Sequence, residues 1–140
     1  MAKSIKLKND IYFDIDAIAK SGKKLGFYLP RIIWTNERPN ENMNTNTQIK
    51  LSDENYDLLI WIYCYNVNSA NTLIQKSSIC LKGASPMMNI IGYSTGIKAR
   101  RILDWSDNKT YIARAGKDDA GNDNNAYCIP LFCIAMSLYQ

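Results

Sequence analysis

The stretch Asn55-Tyr56-Asp57-Leu58-Leu59-Ile60-Trp61-Ile62-Tyr63-Cys64-Tyr65-Asn66 decides the fold. It is dense in β-branched and aromatic residues and closed by Asp or Asn at both ends. It also falls well short of the roughly 20 residues that span a bilayer as a helix. In an extended chain, successive side chains point to opposite faces. One face is then Leu58, Ile60, Ile62 and Cys64, and the other Leu59, Trp61, Tyr63 and Tyr65. Both faces are apolar, so both must be covered. The aliphatic face is expected to fill a sandwich core. The aromatic face, with polar tips on Tyr and Trp, is expected to meet a second protein layer, a neighbouring subunit or a sugar. Trp61, Tyr63 and Tyr65, together with Trp105, are therefore the candidate interface or ligand aromatics.

Working outward from this run, the same period of two recurs on both sides. Downstream, Thr72–Lys82 reads as a long strand stopped by Gly83, and Met87–Tyr93 as a shorter one between Pro86 and Gly92. Ile97–Trp105 and Thr110–Arg114, joined through Ser106-Asp107-Asn108-Lys109, form the clearest hairpin. A Gly/Asp/Asn loop over 115–126 leads to a closing apolar strand, Tyr127–Leu138. Upstream, Thr47–Leu51 alternates, and the Asn-rich 36–46 segment is an exposed loop. Leu25–Trp34 is interrupted by Pro30, which marks an edge or bent strand. Ser4–Lys8 and Ile11–Phe13 flank Asn9-Asp10 as a small hairpin, and Asp16–Lys20 is compatible with one helical turn before Ser21-Gly22. About nine or ten short strands at 8–12-residue spacing predict an all-β, antiparallel β-sandwich of jelly-roll-like type. The domain organisation expected is an N-terminal docking segment over 1–24 followed by a sandwich over 25–140.

Charge is unevenly placed. The whole chain carries a net +4, and residues 1–31 hold all of it, with seven basic residues against three acidic; the rest is balanced. Attraction to an anionic partner therefore belongs to the N-terminal quarter. The seven charges are spread rather than gathered into a basic stripe, so no nucleic-acid partner is expected. Met1-Ala2-Lys3 runs into alternating polar residues rather than an apolar signal core, and no membrane segment is expected. Cys64, Cys80, Cys128 and Cys133 all lie in apolar strand-like runs. They read as buried free thiols acting as small hydrophobes, as a reducing cytoplasm permits.

The chain contains no histidine, which removes the Ser-His-Asp triad, the Cys-His pair and the His general base. Without His and without a Cys-x-x-Cys pair, a zinc site is not expected. Asp53, Glu54, Asp57 and Asp104 could be weighed as paired carboxylates for glycoside hydrolysis, but they fall at strand ends, where turns and caps account for them. The Asp118–Asn125 loop is rich in oxygen ligands yet lacks the spacing of a calcium loop, and a solvated loop accounts for it. Arg100 and Arg101 must point to opposite faces of a strand, and at least one is expected to pair with an acid such as Asp104 or Asp57. No enzyme activity and no cofactor are expected.

The order of several motifs carries a resemblance. Trp34-Thr35-Asn36 with Pro39 is followed by Thr47-Gln48-Ile49-Lys50-Leu51, then by Tyr56-Asp57 opening the central strand. After these come Arg100-Arg101-Ile102, the Trp105…Asp107-Asn108-Lys109-Thr110 hairpin and Asn124-Asn125…Ile129-Pro130-Leu131. This order resembles the C-terminal β-domain of tail-fibre-like structural proteins of phages and prophages of Gram-positive bacteria. Ser4–Asp14 is similar to the short N-terminal segment common on such proteins. The resemblance implies a non-enzymatic virion component, assembled in the bacterial host cytoplasm, displayed on the particle surface and homotrimeric. Its expected partners are itself, other virion proteins of the baseplate, tail or capsid, and host cell-wall glycan. Lys3, Ile5, Lys6, Leu7, Lys8 and Tyr12 are the candidate docking residues. Such fibres have a shaft or anchoring domain ahead of the β-domain, whereas only about 25 residues precede it here. Tail tip, baseplate and capsid exterior, including a capsid-decoration or head-fibre role without a receptor, all remain open. Outside the virion class, the alternatives are a soluble carbohydrate-binding module and a glycan hydrolase.

Overall fold

The computed structural model describes residues 30–70 and 75–137, and nearer the N-terminus the backbone of Ser4–Lys6 and Tyr12–Asp14. Those two short segments are β1 (Ser4–Lys6) and β2 (Tyr12–Asp14), paired antiparallel with Ile5 opposite Phe13. The expected N-terminal hairpin is therefore present as backbone pairing. Of the docking candidates, Lys3, Leu7 and Lys8 lie outside the described residues, and Ile5, Lys6 and Tyr12 are described as backbone. The helical turn expected over 16–20, the boundary at 24/25 and the first residues of the Leu25–Trp34 and Thr72–Lys82 runs also lie outside them.

Eight further strands make the sandwich: β3 (Arg31–Thr35), β4 (Gln48–Lys50), β5 (Leu58–Asn66), β6 (Gln75–Leu81), β7 (Met87–Ile91), β8 (Lys98–Asp107), β9 (Thr110–Ala113) and β10 (Tyr127–Met136). One sheet has the order β3-β10-β5-β6 and the other β4-β9-β8-β7, and every pairing is antiparallel. The all-β sandwich expected from the period of two is thus the observed architecture. The pairs β3–β10 and β4–β9 are nested as in a jelly roll, whereas β5–β6 and β7–β8 are sequence neighbours lying side by side. Among the described residues, helix is limited to one 3₁₀ turn, Val67–Ser69. It is capped reciprocally, with Asn68 N–H donating to the Asn66 side chain and Asn66 N–H to Ser69 Oγ.

Local chemistry accounts for the irregular points. β3 is an edge strand that begins just after Pro30, as a missing N–H requires. Pro130 stands inside the central strand β10, and the ladder to β5 is bulged between Pro130 and Phe132. The Asn36 side-chain amide donates to the Pro130 carbonyl (2.9 Å), and Asn36 N–H donates to that of Leu131 (2.8 Å). The β8–β9 hairpin turns through Asn108-Lys109, with Asp107 accepting from Lys109 N–H (2.8 Å).

The core reverses the expected faces of the central strand. Leu59, Trp61, Tyr63 and Tyr65 are buried between the sheets, while Leu58, Ile60 and Ile62 are half-buried on the outside. The tyrosines of the aromatic face reach carbonyls and hydroxyls across the interior, whereas the buried Trp61 Nε1 has no hydrogen-bond partner among the described residues. Tyr63 Oη donates to Asn89 O (2.9 Å) and accepts from Asn89 N–H (3.0 Å) on β7. Tyr65 Oη meets Thr95 Oγ1 at 3.0 Å. From other elements, Tyr111 Oη donates to Ala84 O (3.2 Å) and Tyr56 Oη to Asn108 O (2.8 Å). Trp61 packs edge-on against Tyr111, with centroids 5.2 Å apart at 72°, and against Trp34 at 5.9 Å.

Candidate assembly surface

The outer face of the β3-β10-β5-β6 sheet follows from the register. Ile32, Ile134, Ile60 and Ile79 lie opposite one another, a single row of isoleucines crossing all four strands. On one side of this row stand Met136, Leu58 and Leu81, and on the other Thr35, Phe132, Ile62 and Ser77. These three rows contain no charged residue. The central side chains are half-buried by their own neighbours, whereas on the edge strands Ile32 and Ile79 are each 61% exposed and Leu81 66%. In the next row Cys64 and Ile129 are fully buried beside the capped turn at 67–69, which closes that end of the face.

The outer face of the other sheet is of the opposite character. Lys98, Arg100 and Asp104 of β8 and Lys50 of β4 point outward, and Asp104 Oδ2 receives Arg114 Nε at 2.6 Å. Met87 and Ile91, separated on β7 by Asn89, are the exposed apolar residues there, and Ile102 and Ile112 lie half-buried among the charges. The sandwich therefore has one charged outer face and one aliphatic one.

At one end of the sandwich, loops 36–46 and 114–126 are gathered around Arg101, the one charged residue among the described residues that is buried in the core. It shares the inward parity of Ala99 and Leu103 on β8, so the sequence placed it correctly opposite to the exposed Arg100. A carboxylate was expected for at least one of the two arginines; Arg101 is held by backbone carbonyls instead. Nε donates to Cys128 O (3.0 Å) and Tyr127 O (3.2 Å), Nη1 to Met43 O (3.0 Å) and Arg114 O (2.6 Å), and Nη2 to Asn125 O (3.0 Å) and Tyr127 O (2.9 Å). Burial lowers its pKa to about 10, which still leaves it cationic at neutral pH. Gly116 completes the cluster: a Cβ there would meet Asn124 O at 2.3 Å, so only glycine lets the loop pass.

Beside this cluster an open groove of about 640 Å³ runs between β3 and β4. Its lining includes the half-buried Trp34, the amides of Asn42, Asn44 and Gln48, and the Arg38–Glu41 pair at 3.5 Å. Trp34 belongs to the aromatic set that the sequence offers for a sugar or an interface, but nothing in the sequence joins it to Gln48 and Lys50 in one groove. The signal available was the Asn-rich loop following Trp34, which loop chemistry alone also accounts for.

Of the candidate aromatics, Trp61, Tyr63 and Tyr65 form one buried row against the other sheet, the second protein layer that was one of the three places expected for them, and are not at the surface for a subunit or a sugar. Trp105, opposite Tyr111, stands apart at the end of the sandwich and is 39% exposed. The four cysteines are free and buried, as the sequence implies. Burial raises all four thiol pKa values, that of Cys128 to about 12. In the 118–125 loop the carboxylates serve the loop itself. Asp118 accepts from Asn122 N–H (2.8 Å) and its side-chain amide (3.0 Å), and Asp123 pairs with Lys117 (2.5 Å). Among the described residues no cluster of His, Cys, Asp or Glu is arranged to hold a metal ion. Comparison with known proteins finds no family model, no curated protein and no solved structure that matches this chain.

Proposed function

We propose that the chain is a structural subunit of a phage virion, a fibre-type β-domain displayed on the particle as a homotrimer and joined to other virion proteins by its N-terminal segment. Its role is mechanical, not catalytic. The observation that carries this reading is the contrast between the two outer faces. A sandwich that works alone keeps polar side chains on both, whereas an uncharged aliphatic sheet face belongs against another protein. The order of motifs that resembles fibre β-domains supplies the virion setting.

Labelling purified particles with antibody raised against this chain tests the reading. Label at the tail tip, the baseplate or the capsid exterior is the expected result, and particles free of the chain would sink it. Deleting residues 1–22 is expected to leave a folded sandwich that no longer joins the particle, since an isolated two-stranded hairpin is marginal in water and needs a neighbour to hold it. If the truncated chain still decorates particles at full occupancy, the anchor lies in another segment, with the 36–46 loop the first to examine.

A second reading, contact with cell-wall glycan, has one observation in its favour. The groove beside β3 places an indole next to several amides, the combination that stacks on and hydrogen-bonds to sugars. Quenching of Trp34 fluorescence by cell-wall fragments, abolished in Trp34→Ala, is the expected signature; unchanged fluorescence removes this reading.

A further inference from the structure

We infer that the aliphatic outer face of the β3-β10-β5-β6 sheet is the contact between copies of this chain, three such faces closing around a threefold axis. The inference rests on the trimeric reading above and names the surface that makes it. The aromatic row that looked like the contact from sequence is spent on the chain's own core, and the aliphatic row takes its place.

Three features of the face select a second copy as its occupant. The first is chemistry. The rows centred on Ile32, Ile134, Ile60 and Ile79 contain no charge, so a charged partner surface would be desolvated there without compensation. The opposite outer face carries Lys50, Lys98, Arg100 and Asp104 and is no match for it. The surface complementary to an uncharged aliphatic sheet is the same sheet on another copy.

The second is size. Four strands about 4.8 Å apart make a face roughly 20 Å wide, and three rows make it nearly as long, on the order of 400 Å². Three such faces together cover roughly 1,200 Å², about 400 Å² for each pair of copies, so no single pairwise contact suffices and all three must close together. The third is shape. If three sheets roughly 19 Å wide form the sides of a triangular prism, each stands about 5.5 Å from the axis, close to half the 10 Å at which packed sheets stand apart. Side chains of Ile and Leu length then fill the prism without leaving a channel. The high exposure of Ile32 at one edge and of Ile79 and Leu81 at the other fits this arrangement, because the edges of neighbouring sheets meet at the corners.

The test is the solution mass of the full chain and of two variants on the most exposed positions, Ile79→Lys and Ile32→Glu. Neither side chain supports the chain's own core, so the subunit should stay folded. Folding is checked independently by the four buried cysteines, which should resist a thiol reagent until denaturant is added. The expected result is a mass of three chains of 15.9 kDa for the wild type and of one chain for each variant, with the thiols still protected. Lys98→Glu, on the charged face, should remain trimeric. A wild-type trimer that both variants leave intact overturns this inference and spares the trimeric reading. A wild-type monomer overturns both, and in that case a drop in stability of Ile79→Lys would place a segment of the chain itself on the face. A dimer overturns the threefold arrangement.

Discussion

Arg101 shows what a single residue decides. Its guanidinium serves the carbonyls of Met43, Arg114, Asn125, Tyr127 and Cys128 together, and so it joins both long loops to the end of the sandwich. Arg101→Met is expected to lower unfolding free energy by about 3–5 kcal/mol, because buried acceptors lose charge-assisted partners. Arg101→Lys should recover little of this, since an ammonium cannot span the fork. Urea denaturation measures both, and a neutral Arg101→Met would overturn the role. Trp61→Ala should also cost about 3–5 kcal/mol, as deletion of a fully buried aromatic does. That Arg100 and Arg101 face opposite ways was legible in the alternation of β8; what Arg101 meets was not, because all five carbonyls come from segments 13 to 58 residues away.

At the scale of elements, β3 is held at its start by one ion pair. Arg31 donates to Asp53 Oδ2 through Nε (2.9 Å) and Nη2 (2.6 Å), and to the carbonyl of Asn55, which also accepts from Ser137 Oγ (2.8 Å). The first residue of β3, the segment before β5 and the residue just after β10 are tied together in this way. The Asn55 N–H and then the Arg31 guanidinium hold the Asp53 pKa below its ordinary 3.8. A carboxyl with a lowered folded pKa contributes stability that is full above the ordinary value and is lost as pH falls through the lowered one. The wild type should therefore lose more stability than Asp53→Asn as pH falls below the ordinary carboxylate value. Parallel acid titrations followed by circular dichroism measure the difference, and coincident curves would show that the pair adds nothing. The hairpin β8–β9 and the edge position of β3 were both readable from turn residues and Pro30. The insertion of β10 between β3 and β5 was not, since no local signal links strands so far apart in sequence.

For the whole molecule, the two outer faces predict different responses to salt. An apolar contact between copies is little screened by sodium chloride and is strengthened by sulfate. The proposed trimer should hold its mass across a wide range of sodium chloride, and Ile60→Ala, which trims the central row, should make it dissociate already at a higher protein concentration than the wild type. Docking through the basic N-terminal quarter should instead slow as ionic strength rises, most clearly for wild type and least for Lys6→Glu with Lys8→Glu. Analytical ultracentrifugation and particle-binding rates at graded salt separate the two. A trimer that dissociates in moderate sodium chloride would point to charge rather than apolar burial as its basis.

By itself the sequence determined the fold class. A period of two repeated between turn residues leaves little but an antiparallel sandwich, and cysteines set in apolar strands read as the buried free thiols they are. Only the tertiary structure decided which face of the central strand turns inward. A strand apolar on both sides is symmetric to its own period, so nothing local distinguishes Leu58, Ile60 and Ile62 from Leu59, Trp61 and Tyr63. The choice is made across the sandwich, where Asn89 and Thr95 supply partners to hydroxyl tips that the buried aromatic row would otherwise leave unsatisfied. Aliphatic side chains ask for no such partners, and they are the ones left outside.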